Sequence, residues 1–350
     1  MTQAPVSEPR TAPAAGRGRS ARLGSPASIV GVGLAAILGA AVLSLMIGAH
    51  FVSLPDAFTH LFGSDDGSQA YAVIDSRVDR TLVAVLVGAA VAIAGVVMQG
   101  ITRNPLADPG ILGVNSGAAL AVILGIYWFD VTTMAAYVWL ALLGAAVAAV
   151  VVYAVASLGP RGPQPVTMAL AGAALTAGAT SITAGIMVSS SETLEVFRFW
   201  QVGSVSGRDM GAVAGVLPLF AIGFVLCLIM GGILNALALG DDLARALGQR
   251  VMVGRAVGAL GAVILCASAT AVAGPIAFVG LVVPHVVQLL VGPDYRRILL
   301  GSLLGGPVLM ILADTLGRVV TPPAEVSVGI MTAVIGAPVL IFLVRRMGVR

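Results

Sequence analysis

Side chains that could perform catalysis are few in this sequence, and their spacing fits no common active site. The adjacent carboxylates Asp241 and Asp242 are not followed by a second acidic metal-binding motif, and no His-rich spacing indicates zinc. No Ser and His pair indicates a nucleophilic hydrolase, and the phosphate-loop pattern G-x-x-x-x-G-K-S/T is absent. We therefore expect a protein that is not an enzyme and that binds no metal or cofactor directly.

The remaining reactive side chains favour structural roles. Cys227 and Cys266 both fall inside apolar runs, without any ligand spacing around them, which indicates small buried side chains. His285 follows Pro284 near a Gly- and Pro-interrupted stretch, and we expect it to form a structural hydrogen bond. None of these residues predicts redox or metal chemistry.

The composition is that of a membrane protein. Hydrophobic residues make up 58% of the chain, charged residues 10%, and the mean hydropathy is +1.03, whereas soluble domains average about 45–50% apolar and about 25% charged residues. The net charge of +3 does not indicate nucleic acid, because the arginines lie at the ends of apolar segments. The Pro-, Ala-, Ser-, Gly- and Arg-rich start predicts a disordered cytoplasmic tail over residues 1–27, before a membrane domain at 28–350.

Ten apolar segments approach the length of about 17–25 residues that a bilayer requires. They lie at 29–49, 81–99, 111–127, 134–156, 166–188, 210–233, 254–273, 278–291, 298–313 and 328–344. Small residues recur within these segments and allow close approach of membrane helices. The sequence therefore predicts an all-α integral membrane fold, a compact bundle of about ten transmembrane helices.

The arginines orient this bundle. With ten spans and a cytoplasmic N-terminus, 14 of the 19 basic residues lie on the cytoplasmic side and 5 on the external side. This asymmetry obeys the positive-inside rule, and the inverted topology would violate it. We therefore expect both termini in the cytoplasm.

Two Gly- and Pro-interrupted stretches lie in comparable halves of the chain, around 104–117 and around 274–284. Irregular backbone is tolerated at membrane depth only where protein or water satisfies its polar groups. Paired interruptions of this kind hint at an internal repeat that flanks a pathway. The first stretch marks either a membrane-surface loop or a built site.

Six sequence runs together resemble a known permease family. They are Arg77-Val78-Asp79-Arg80-Thr81-Leu82 leading into Ala94–Gly100, the stretch from Arg103 to Gly117, Trp200–Ser204, Leu239–Gly248, Gly274–His285 and Gly329–Pro338. In this order they are similar to FecCD-type permease subunits of bacterial iron-siderophore, haem and vitamin B12 ABC importers. The signature positions are Arg103, Asn104, Pro105, Asp108, Pro109, Gly110, Gly113, Pro284 and His285.

The resemblance implies a type II importer permease in the bacterial cytoplasmic membrane. Such a subunit pairs with a second permease, identical or homologous, with two cytoplasmic ATPase subunits and with an external substrate-binding protein. ATP and Mg would be bound by the ATPase chain. Ferric siderophores are the leading substrates because they are the commonest in the family, with haem and cobalamin as alternatives.

The segment 234–253 is expected to couple the permease to the ATPase. Leu239 to Leu247 reads as a short cytoplasmic helix, with two carboxylates in the first turn, where the helix dipole favours them, and a glycine where the helix would stop. The alternative is an ordinary capped surface helix. The coupling positions implied by the resemblance are Gly240, Asp241, Asp242, Ala244, Arg245, Leu247 and Gly248.

Three arginines on the external side are expected to dock the binding protein. In relatives, arginines at the places of Arg77, Arg80 and Arg318 pair with carboxylates of that protein, and the planar guanidinium suits such pairing. The alternatives are interfacial snorkelling or a local pair, such as Asp314 with Arg318 at i,i+4.

The resemblance also implies that the fifth span lines the translocation pathway. Its candidate lining residues are Thr176, Thr180, Ser181 and Thr183. Hydroxyls can face a polar lumen, but they can equally bond carbonyls of their own helix.

Two other classes of protein fit less well. An ion-coupled secondary transporter should carry ionisable residues deep in its spans, yet no span centre holds a clear carboxylate here. A non-transporting scaffold would leave the coupling-type segment unexplained. Binding of this chain to an ATPase would separate the importer from both alternatives.

Overall fold

The computed structural model describes residues 25–48, 51–53, 55, 57, 69–158, 164–322 and 324–348. Most of the tail predicted at 1–27 therefore lies outside the described residues. The first helix begins at Pro26, slightly before the predicted boundary, because Ser25 and Ser28 form a reciprocal capping box.

Within the described residues the protein is all-helical, with no strand. The helices are α1 (Pro26–Met46), α2 (Gln69–Thr102), α3 (Val114–Phe129), α4 (Met134–Ser157), α5 (Pro165–Ser189), α6 (Ser191–Gln201), α7 (Met210–Leu228), α8 (Gly231–Ala238), α9 (Asp241–Ala246), α10 (Val251–Ala273), α11 (Val279–Val291), α12 (Tyr295–Val320) and α13 (Val328–Gly348). A 3₁₀ helix, Pro109–Leu112, precedes α3.

The predicted count of about ten spans agrees with this architecture. Among the described residues, seven helices are long and apolar enough to cross a membrane, namely α1, α2, α4, α5, α7, α10 and α12. Three shorter apolar helices, α3, α11 and α13, match the remaining predicted segments. The chain is therefore a multi-pass membrane protein.

Two predicted boundaries differ from the structure. The segment predicted at 81–99 is part of α2, which has 34 residues and a length of about 51 Å, well beyond the ~30 Å hydrocarbon layer. Hydropathy misses its first turns because they carry charged side chains. The segment predicted at 210–233 ends at Leu228, and the chain restarts as α8 at Gly231.

Glycines set the closest helix crossings. Side chains at Gly95 or Gly88 of α2 would overlap the carbonyl oxygens of Gly280 in α11 and Gly306 in α12, respectively. Such small contacts let backbones approach closely, and van der Waals packing then holds the helices together in a membrane. Helices α2 and α10 form the buried centre, while α1 and α5 are mostly exposed at the surface of the single chain.

Candidate coupling and transport site

Helix α9 is a short, sharply bounded element between α8 and α10. Gly240 precedes it with φ +106°, a backbone conformation that L side chains rarely adopt. At its end the amide of Gly248 donates to Arg245 O at 2.9 Å and the amide of Gln249 donates to Ala244 O at 2.9 Å. With Gly248 at φ +80°, these two bonds form a Schellman motif. The predicted short helix and its stop at Gly248 are confirmed.

Asp241 fastens α9 to two other helices. Its carboxylate accepts two hydrogen bonds from the guanidinium of Arg255 in α10, both at 2.9 Å. Arg103, just after α2, approaches the same carboxylate at 3.0 Å. The Nε of Arg255 also donates to the carbonyl of Ile101 at 3.1 Å. Bidentate, charge-assisted contacts of this kind are strong and directional, so α9 is tied to the end of α2 and the start of α10.

A second connection joins α8 to α12. The Asn235 amide donates to Asp294 Oδ1 at 2.8 Å, and Asn235 Oδ1 accepts the Tyr295 amide at 2.9 Å. Asp294 caps α12 by accepting the Arg296 amide at 3.0 Å. The hydrogen bond from Asn235, followed by this amide and nearby arginines, holds the pKa of Asp294 below its ordinary value. The segment around α9 is thus attached to three helices of the bundle.

The segment around α9 exposes three leucines. Leu243 and Leu247 lie one turn apart at the end of α9, Leu239 lies just before Gly240, and each is between 56 and 62% exposed. Asp242 and Arg245 form an exposed pair at 3.0 Å, whereas Ala244 is fully buried against the bundle. Sequence reasoning named Leu247 but missed the other two leucines, although their four-residue spacing was visible.

The signature segment folds back beside α2. Arg103 leaves the helix with φ +51°, and Asn104 and Pro105 form an exposed turn. Asp108 then caps the 3₁₀ helix by accepting the Gly110 amide at 2.8 Å, with Pro109 at its first position.

Polar side chains within and just before this segment form hydrogen bonds to α10 and to the second interrupted stretch. Asn115 Oδ1 accepts the Thr270 hydroxyl of α10 at 2.8 Å, and the Gln99 amide donates to Gly280 O at 3.0 Å. Gly113 has φ +75° between the 3₁₀ helix and α3. The two interrupted stretches meet beside α2, because a side chain at Gly280 would lie 3.1 Å from Asp108 Oδ2 and 3.4 Å from the Cα of Gly95. Residues 103–106 are exposed, and a role of this segment as a site stays a prediction.

Pro284 and His285 lie buried inside α11. His285 Nδ1 lies 2.6 Å from the carbonyl of Leu281, one turn earlier in the same helix. This contact is the structural hydrogen bond that the sequence predicted. No cluster of three His, Cys, Asp or Glu side chains that could hold a metal occurs in the described part of the chain.

Arg77, Arg80 and Arg318 share one buried network. Arg80 contacts Asp314 at 2.9 Å and Glu325 at 2.8 Å, while Arg318 lies 3.3 Å from the other oxygen of Asp314. Arg318 is 2% exposed and Arg77 is 5% exposed. The local Asp314–Arg318 pair, which the sequence left as an alternative, is present.

The same network ties α1 into the bundle. Arg318 donates to the carbonyl of Ser44 at 2.9 Å and to its hydroxyl at 2.7 Å, and Arg77 donates to the carbonyl of Leu45. Glu325, 39% exposed, is the most accessible member of this network. Docking of a partner at these arginines stays a prediction.

The four candidate pathway residues of α5 separate into different environments. Thr180 is exposed, and Ser181 is exposed but donates to Ala177 O in its own helix at 2.8 Å. Thr176 accepts a hydrogen bond from Ser116 of α3 at 3.1 Å, and Thr183 is buried. Of the four, only Thr180 and Ser181 lie on the exposed side of α5.

Comparison with known proteins agrees with this geometry. The chain is 42% identical over 286 residues (81% of this chain and 86% of the relative) to the probable siderophore transport system permease protein YfiZ of Bacillus subtilis. It is also 42% identical over 307 residues (88% and 92%) to the ferric enterobactin transport system permease protein FepD of Escherichia coli.

A solved structure shares the fold. It is described as an inward-facing conformation of a metal-chelate type ABC transporter, and it superimposes with a TM-score of 0.80 at 28% identity, covering 92% of this chain and 99% of that chain. The FecCD transport family matches residues 35–346. With ten apolar helices, a short helix held through Asp241 and a match over nearly its whole length, the chain belongs to the FecCD transport family of permeases.

Proposed function

We propose that this chain is the permease subunit of an ATP-driven importer of ferric siderophores in the bacterial cytoplasmic membrane, with both termini in the cytoplasm. It pairs with a second permease, identical or homologous, and with two cytoplasmic ATPase subunits that bind ATP and Mg. An external binding protein delivers the substrate. The siderophore assignment is supported by relatives named as siderophore permeases, and haem or cobalamin are the competing substrates.

The observation that carries the proposal is the group of exposed leucines on and beside a fixed helix. Burying an exposed leucine against a partner stabilises a complex by about 1.5–3 kcal/mol. Leu243 and Leu247, one turn apart on α9, and the neighbouring Leu239 offer three such side chains. Because α9 is anchored through Asp241, a force applied to these leucines reaches the bundle and does not merely bend a loop. Such a surface fits a groove on the ATPase.

The contacts of Asp241 and Asn235 define how motion of the ATPase would reach the helix bundle. Closure of the ATPase dimer would move α9, and the Asp241 contacts would carry this motion to α2 and α10. The Asn235–Asp294 contact would carry it to α12. Helices α2 and α12 meet again at the external end through Arg80 and Asp314. One rigid pair of helices therefore links the ATPase face to the external face.

At the external end, a carboxylate of the binding protein can exchange with Glu325. Arg80 already holds a carboxylate there at 2.8 Å, and that carboxylate is partly exposed. Replacing it would keep the arginine paired while releasing the linker between α12 and α13. This exchange is how we propose that docking reaches Arg77, Arg80 and Arg318.

The pathway would lie along the open face of α5, between two permeases. Thr180 and Ser181 present hydroxyls on that face, and several neighbouring positions are glycine or alanine. A weakly interacting lining suits a pore that must release what it admits.

The substrate is tested by uptake in a strain that lacks this gene. Radio-iron supplied as a ferric siderophore, haem and cobalamin are measured side by side, with and without the wild-type gene. Restored siderophore uptake alone supports the proposal. Restoration of haem or cobalamin uptake alone assigns another substrate, and no restoration of any of the three, with the partner subunits expressed, contradicts the import function.

A further inference from the structure

A narrow apolar groove runs along the outside of the bundle between α1, α11 and α12. Its volume is about 320 Å³, and every residue that lines it is apolar. Representative lining residues are Val32 and Ala36 of α1, Val286 and Leu290 of α11, and Leu304 and Val308 of α12. Helix α1 forms one wall of the groove, and its outer surface is itself apolar and exposed.

The dimensions of the groove fit one hydrocarbon chain. On α12 its lining extends from Gly301 to Leu312, a distance of about 16 Å by helical rise. One leaflet of the hydrocarbon layer is about 15 Å thick. The lined stretch of α12 is therefore about as long as an acyl chain extended through one leaflet.

A basic residue lies at one end of the groove. Arg297 precedes Gly301 by one helical turn, so it lies on the same face of α12, at the end where α11 finishes and α1 begins. Its Nε is 3.7 Å from Asp294 Oδ2, and its side chain is 39% exposed. Among the described residues its two terminal nitrogens have no recorded hydrogen-bond partner. A guanidinium with free donors at a membrane surface attracts anionic lipid headgroups.

We infer that this groove binds an anionic phospholipid, with one acyl chain between α1, α11 and α12 and the phosphate on Arg297. The apolar lining alone would accept any lipid tail, and Arg297 supplies the preference for a negative headgroup. In the orientation of the proposed function, the lipid belongs to the cytoplasmic leaflet. The bound chain would cover the contact between α1 and α12.

The test is native mass spectrometry of the full-length permease in mild detergent, titrated with phosphatidylglycerol or phosphatidylcholine. Ala36→Phe fills the groove, and Ala35→Phe is the matched control, because Ala35 is equally an exposed alanine of α1 but does not line the groove. We expect the wild type and the control to retain phosphatidylglycerol and Ala36→Phe to lose at least tenfold in retention. Equal retention by the two variants would overturn the inference.

Arg297→Gln tests the headgroup separately and changes only an exposed side chain. We expect the preference for phosphatidylglycerol over phosphatidylcholine to fall about fivefold, which corresponds to the ~1 kcal/mol that one arginine contributes near an anionic surface. Equal binding of both lipids by the wild type would overturn the assignment. Lipid retention is scored without transport, so its failure would leave the proposed importer function intact.

Discussion

Replacing Asp241 by asparagine tests whether α9 is anchored as the structure shows. The substitution keeps the shape of the side chain and removes its charge. A hydrogen bond to a charged group contributes about 1.5–3 kcal/mol, and Asp241 makes two such bonds to Arg255 at 2.9 Å. The contact with Arg103, which is 44% exposed, adds less than about 1 kcal/mol. Because asparagine keeps part of this bonding, we expect the free energy of local opening of α9 to fall by about 2–3 kcal/mol.

Hydrogen exchange of the peptide spanning 239–250 measures this loss directly. The amides of Ala244, Leu247 and Gly248 are bonded within the helix and its cap, so they exchange only when the segment opens. A loss of 2–3 kcal/mol corresponds to roughly 30- to 150-fold faster exchange. In proteoliposomes with the ATPase, we also expect fewer substrate molecules transported for each ATP hydrolysed.

Asp242→Asn is the matched control. It alters the same functional group in the same helical turn, but Asp242 is 99% exposed and pairs only with Arg245 among the described residues. Its effect on exchange should stay within about threefold, since exposed i,i+3 and i,i+4 pairs are weak. If Asp241→Asn exchanged no faster than Asp242→Asn, the anchoring of α9 through its carboxylate would be refuted.

Three further perturbations follow from the packing and the charges. Gly95→Leu should lower the stability of the purified permease by at least about 3 kcal/mol in thermal unfolding, because its side chain meets the backbone of α11. In the control Gly178→Leu the new side chain enters open space, so stability should change little. Equal losses of stability in the two variants would contradict the close crossing of α2 and α11 at Gly95. Asp314→Asn should cost about 3–5 kcal/mol by leaving two buried arginines short of a counter-charge. Glu325→Gln, at a partly exposed site, should cost less than about 1 kcal/mol of stability. A larger loss for Glu325→Gln than for Asp314→Asn would refute the network. Because the pKa of Asp294 is lowered in the folded protein, its ionised carboxylate stabilises the fold above about pH 4. This stabilisation is lost as the pH falls through the pKa of Asp294 in the folded state. The acid dependence of unfolding should therefore weaken in Asp294→Asn, and an unchanged dependence would exclude this contribution.

Local chemistry made much of the coupling segment predictable. The short helix from Asp241 to Ala246 follows from carboxylates in its first turn and from Gly248 at its end, and both signals lie within a few residues. The Asp314–Arg318 pair was likewise accessible, because i,i+4 spacing places both side chains on one helical face.

Contacts between distant parts of the chain were not predictable. The clamp on Asp241 comes from Arg103, far away in sequence, and only the tertiary packing of α2 against α9 and α10 brings these residues together. The N-terminal turns of α2 were missed because hydropathy discounts Arg77 and Arg80. In the fold Arg80 pairs with Asp314 and Glu325, and Arg77 donates to the carbonyl of Leu45. The break after α7 did leave a local signal, the pair Gly231-Gly232.

The central claim is that this permease drives import through the exposed leucines of α9. The most direct measurement is uptake of radio-iron as ferric siderophore in a deletion strain that carries the wild type, Leu243→Asp or Leu158→Asp. Leu158 is 85% exposed at the end of α4, on the cytoplasmic side of the proposed topology, and so it controls for the loss of an exposed leucine. We predict that Leu243→Asp abolishes uptake while Leu158→Asp and the wild type support it equally. Normal uptake by Leu243→Asp, with the ATPase still bound, would contradict the account.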